Sequence, residues 1–226
     1  TCRDWSSDVC SSDLGHREIG DTRQDPYVET AARALRYLPH ALRPIGIGPQ
    51  TYGDPDTNRN RIGLELSVSA DFRHPYEVGP AMDALVASRM REEYAFTGRP
   101  GLLHRSYREM VVDMVDVHAW GQSDGAAGGG WRYSWHEHPD NSAAQWGAIG
   151  LIPAEEVFKI HVPQWVKDRN DVWISYSYDG TGFGYTGAGN GNCTTPSGMV
   201  QLSFVGANAI DDPDTDAGFL GLTNYM

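Results

Sequence analysis

The strongest constraint on the fold is a recurrence at a spacing of 52 residues. Gly130-Trp131-Arg132-Tyr133 returns as Gly182-Phe183-Gly184-Tyr185, and Ser142 returns as Thr194. An Asp-Gly pair stands ahead of each aromatic turn, Asp124-Gly125 in the first copy and Asp179-Gly180 in the second. A helix start follows each turn. Ser142 through Gln145 reads as a capping box, in which hydroxyl and amide satisfy reciprocal backbone donors, and Thr195-Pro196 reads as a cap followed by proline. The unit is helix, glycine–aromatic turn, capped helix. A period in this range marks stacked two-helix repeats, because neither pair can bury its apolar face alone. A further unit is expected to open at Asp212-Pro213.

The rest of the chain also reads as helices joined by Gly- and Pro-rich turns. Asp25-Pro26 predicts a helix start, followed by Val28, Ala31, Ala32, Leu35 and Leu38 on one face and Pro39 at the end. Residues 45–60 are breaker-rich loop. Ile62, Leu64, Leu66 and Val68 then alternate with smaller or polar residues, which predicts a short extended piece over 62–68. A helix resumes near Pro75 with Val78, Met82, Leu85 and Val86. The clearest one spans 101–121. Its stripe is Leu103, Tyr107, Met110, Val111, Met114 and Val117, with Arg105, Arg108, Glu109 and Asp116 largely off it.

Gln122-Ser-Asp124-Gly125 leading to Gly129-Gly130-Trp131, then Asp140-Asn141-Ser142 with Gln145, Gly150 and Leu151, resembles the repeats of squalene cyclases and protein prenyltransferase β subunits. Trp173-Ile174 through Asp179-Gly180, Gly182-Phe183 and Ser197-Gly198-Met199 is similar to a degenerate second copy. The resemblance covers residues 101–211 well and 25–100 weakly. It implies an all-α fold, a terpenoid cyclase-like α/α toroid of concentric helix pairs, here incomplete and with long Gly/Pro-rich loops. Cyclases of this type protonate substrate with Asp-x-Asp-Asp-Thr. The nearest stretch, Asp211-Asp212-Pro213-Asp214-Thr215-Asp216, differs in order and reads better as a helix start rich in acids. Prenyltransferases hold zinc partly through Asp-x-Cys. Asp140-Asn141-Ser142 carries a hydroxyl where the thiolate belongs, so zinc is not supported.

Charge and the chain ends narrow the options. A formal net charge of -12 opposes binding to a nucleic-acid backbone. No apolar run reaches the roughly 18 residues of a membrane span. Residues 1–14 resemble translated sequencing adapter, which leaves 15–226 as one helical-repeat domain, read as a fragment of a larger bacterial protein from environmental DNA. Cys2 and Cys10 fall in the adapter-like stretch, and Cys193 alone implies no disulfide framework. The compartment stays open, periplasmic or extracellular among the options.

Two groups of residues carry candidate chemistry. Asp54, Asp56, Asn58, Asn60 and Glu65 place oxygen ligands at positions 1, 3, 5, 7 and 12 of a calcium loop, although Arg59 occupies the sixth position, where the motif wants Gly. Trp131, Tyr133, Trp135, Trp146, Phe183 and Tyr185 recur at helix junctions. They read either as the lining of a ligand cavity or as packing between repeats, with packing favoured by the repetition itself. His136-Glu137-His138 with Asp140 lacks a third strong ligand at metal spacing, and Gly182-x-Gly-x-x-Gly187 lacks the strand-to-helix setting of a dinucleotide site. The expectation is a non-catalytic repeat module binding an apolar small molecule or a protein. The alternatives are a toroid enzyme whose acid lies elsewhere and a calcium-stabilised secreted structural protein.

Overall fold

The structure is a computed structural model that describes residues 19–23, 25–66 and 74–206. The described part is mostly helical. It contains α1 (Val28–Ala41), β1 (Leu42–Gly46), β2 (Ile62–Leu66), α2 (His74–Ala87), a 3-10 turn (Pro100–Leu102), α3 (Tyr107–Gly121), α4 (Asn141–Glu156), α5 (Gln164–Ser177) and α6 (Thr194–Val205). No helix among the described residues is long and apolar enough to cross a membrane. The adapter-like segment, the acids at 211–216, the unit expected at Asp212 and the end of the extended piece at 67–68 lie outside the described residues.

The chain is mostly helical as expected, and the extended piece expected near 62–68 is strand β2, paired with a second strand, β1, in one antiparallel hairpin. β1 pairs with β2 in the register Leu42↔Leu66 through Gly46↔Ile62, closing the 47–61 loop at its base. Leu42 and Leu64 are wholly buried, and β2 is buried on both faces from Gly63 to Leu66. The start of α1 is also shifted. Asp25 accepts from the Tyr27 backbone N–H in a turn, and the helix begins at Val28 with Pro39 inside its last turns.

α3 is buried all round from Met110 to Ala119, an outcome that a helix with apolar residues on every side requires. It starts later than the stripe suggested, leaving Leu103 exposed. Its N-terminus is fixed by a capping box between Ser106 and Glu109. At α4 the expected box does not form. Asp140 caps the helix through the Ala143 N–H at 2.7 Å, and Ser142 instead donates to Asp140. α6 begins after Cys193 with no side-chain cap, so the expected cap Thr195 lies inside the helix, its hydroxyl accepting from the Phe183 N–H.

α4 packs on α2 and α6, α5 on α6, and α3 on the hairpin and α2. The α2–α4 crossing is backbone to backbone. A Cβ at Gly79 would stand 1.9 Å from the Trp146 carbonyl oxygen, and one at Gly150 would stand 2.8 Å from the Gly79 carbonyl. The two corners are built alike. Trp131 lies against Gly147 of α4, where a Cβ would be 2.9 Å from its ring, and Phe183 lies against Gly198 of α6 at 2.4 Å. A buried polar chain ties the units together. Asn141 accepts from Trp173 Nε1 and Gln201 Nε2 and donates to Ser177 and the Gly184 carbonyl, while Asn170 donates to Gln201 and the Gly129 carbonyl.

Candidate functional site

The six recurring aromatics separate into three environments. Trp131 and Phe183 are each 1% exposed and belong to the core, Trp131 anchored by donating from Nε1 to the His118 carbonyl at 2.9 Å. Two residues further along each corner the chain turns its ring outward. Tyr133 is partly buried and Tyr185 is 45% exposed. Their hydroxyls meet at 3.1 Å. Tyr76 joins them from α2, stacked on Tyr133 at 5.6 Å and tilted against Trp146 at 5.9 Å. Its hydroxyl lies 2.9 Å from Ser142, whose own proton goes to Asp140. The result is a shelf of aromatic faces and hydroxyls from three parts of the chain. The bond to Tyr185 pushes the Tyr133 phenol up to about 12, so it acts as a neutral hydrogen-bonding group. The Arg132 guanidinium sits 5.9 Å from the Tyr133 ring centroid and 3.4 Å from the capping Asp140.

Trp135 is not part of this shelf. Its indole stacks on His74 at 5.5 Å and donates to Glu65 at 3.0 Å. Glu65 is also the ion-pair partner of Arg43 and lies 3.2 Å from His74. The residue at position 12 of the calcium motif is therefore drawn onto the face of β2 opposite Leu64 and Leu66, where burial and three partners hold it. Asp54, Asp56, Asn58 and Asn60 stay in the loop, folded in a chain of Asx turns: Asp56 accepts from the Asn60 and Arg61 N–H groups, and Asn60 from Ile62. Arg59 at position 6 has φ +63°, the left-handed conformation for which such loops use glycine.

What the loop meets is α3. Asn58 and Asn60 donate to Asp113 at 2.7 and 2.9 Å, and Thr57 donates to Asp116 through its hydroxyl at 2.7 Å and its backbone at 3.3 Å. Asp113 and Asp116 are both wholly buried. Arg105 pairs with Asp113 at 2.8 Å. Burial is the main cause pushing the Asp116 carboxyl up to about 7; the Thr57 bonds oppose it and the charges of Asp113 and Asp56 add to it. His118, one turn from Met114, is buried neutral, and desolvation holds it down to about 4. Sequence reasoning put Asp116 off the apolar face and passed over Asp113 and His118. The signal was present: Met110, Val111, Val112, Met114, Val115 and Val117 leave no solvent side for the polar residues among them.

The remaining candidates disperse. His136 packs its ring edge against Trp120 at 4.4 Å, while His138 contacts the Thr186 carbonyl at 3.2 Å. Among the described residues no three His, Cys, Asp or Glu side chains form a ready metal-binding group. The Gly182–Gly187 stretch is the second corner, and Cys193 is exposed at the start of α6. Compared with known proteins, the chain matches no protein-family model, no curated protein and no solved structure.

Proposed function

We propose that the chain is a non-catalytic ligand-binding module whose two corner-and-helix units are successive pairs of an α/α toroid of the terpenoid cyclase and prenyltransferase repeat type. The tyrosine shelf is its recognition surface. One observation carries this reading: in each unit the first corner aromatic is buried and the second is turned outward, and the two outward rings converge. Packing alone accounts for Trp131 and Phe183, but it gives no reason to spend a hydroxyl-bearing ring at Tyr133 and again at Tyr185.

The chemistry of the shelf selects the ligand. Half-exposed ring faces beside the hydroxyls of Tyr76, Tyr133, Tyr185 and Ser142 suit a neutral ring that is apolar on its face and hydroxylated at its edge, a saccharide. Arg132 already occupies the cation position over Tyr133, which disfavours a cationic ligand, and the net charge of -12 disfavours an anionic polymer. A glycan microarray followed by calorimetric titration tests the proposal. Binding of neutral glycans is expected, weakened about tenfold by Tyr185→Phe, the worth of one hydrogen bond. Affinity unchanged in Tyr133→Phe and Tyr185→Phe would refute it. Turnover of an isoprenoid substrate would favour the rival reading of a toroid enzyme.

A further inference from the structure

We propose a second site, independent of the shelf: a calcium ion held between the Asp56–Asn60 loop and the Asp116 carboxylate of α3. The loop supplies the oxygen-rich spacing of a calcium loop, and Arg59 already takes the left-handed turn that the spacing needs. The carboxylate expected from Glu65 comes instead from a helix more than fifty residues away, carried there because the hairpin lays the loop on α3.

The observation that points to a ligand is the second oxygen of Asp116. Oδ1 faces the loop and accepts from Thr57, while Oδ2 is wholly buried and has no hydrogen-bond partner among the described residues. A buried carboxylate oxygen without a partner is costly to the fold, which a bound cation offsets. The charges agree. Three carboxylates, Asp56, Asp113 and Asp116, influence this spot, and the guanidinium paired there among the described residues, Arg105, is taken by Asp113. An ion on the Asp116 side is therefore not displaced by Arg105.

The donor set selects the metal. Two carboxylates, Asp56 and Asp116, with amide, hydroxyl and water oxygens, and no sulfur or imidazole, form a hard and flexible set of the kind calcium accepts. The amide nitrogens of Asn58 and Asn60 donate to Asp113, while their oxygens accept from the Asn60 and Ile62 backbone N–H groups and keep a second lone pair for an ion. A groove of about 450 Å³ lined by Asn58, Asn60, Ile62 and Arg105 opens beside the loop.

The test is calorimetric titration of calcium chloride into the full chain after chelator treatment, with thermal melts in parallel. A single saturable site and a melting temperature raised by about 5–10 °C at a hundredfold excess over Kd are expected. Asp116→Asn, which keeps the shape of the side chain, should lower affinity at least tenfold, and magnesium should bind more weakly than calcium. Asn58→Ala, at an exposed loop position, gives the same readout if Asp116→Asn does not fold, and it too should weaken binding. Absence of calcium binding at millimolar concentration overturns the proposal, as does binding that survives Asp116→Asn or, where that variant does not fold, Asn58→Ala.

Discussion

Replacing Gly79 with alanine should unfold the protein more readily, although alanine is the better helix former. In an ordinary helix interior this change stabilises by about 1 kcal/mol. Here the new Cβ would stand 1.9 Å from the Trp146 carbonyl oxygen and 2.7 Å from its carbon. An ordinary C···O contact is about 3.4 Å, so α2 must retreat from α4 by roughly 1.5 Å. A gap of even about 1 Å forfeits up to half of the contact energy. Val78, Met82, Leu85 and Val86 are fully buried on α2, and such side chains contribute about 2 kcal/mol each. Losing a third to a half of that, about 3–4 kcal/mol, outweighs the propensity gain and leaves a net loss of about 2–3 kcal/mol. Urea unfolding followed by far-ultraviolet circular dichroism should show the midpoint lowered by about 1 M. Gly101→Ala is the control, since its Cβ meets nothing within 4 Å, and it should stay within about 0.5 kcal/mol. A Gly79→Ala midpoint equal to or above the parent would refute the close crossing.

Other expectations follow from the same geometry. Asn141→Ala strands Trp173, Ser177 and Gln201 in the core and should cost about 3–4 kcal/mol by chemical denaturation. Ser106→Ala removes one half of the α3 capping box and should cost about 1 kcal/mol on the same scale. His118 links stability to pH: its folded value of about 4 lies below the ordinary 6.5, so the unfolded chain takes up the proton first. Its contribution is whole above about 6.5 and falls as pH drops toward 4, by up to about 3 kcal/mol. His118→Gln should flatten that part of the stability–pH curve, and an unchanged slope would count against a buried neutral imidazole.

Much of the helical framework was legible in the sequence because its signals are local. The corner motifs at Trp131 and Phe183, the α2 face carrying Val78 and Met82, and the alternation of β2 each depend on neighbours within a turn or two. Asp113 and Asp116 were not legible as partners of the loop, since the contact depends on the unpredicted strand β1 and on how the hairpin lies across α3. The fate of Glu65 was hidden for the same reason. Its spacing suits a calcium loop, yet it stands on the face of β2 opposite Leu64 and Leu66, which Arg43, His74 and Trp135 cover. The Asn141–Asn170–Gln201 chain escaped because buried amides leave no periodic trace; only the packed helices bring them together. The split among the aromatics was likewise invisible in composition, which cannot tell an inward ring from an outward one two residues later.

Hydroxyl-radical footprinting read residue by residue tests that split most directly. Trp131 and Phe183 should remain unlabelled in the folded chain while Tyr185 is oxidised, and a bound neutral glycan should then protect Tyr185. Labelling of Trp131 or Phe183 to the extent of Tyr185, with the fold intact, would contradict the account.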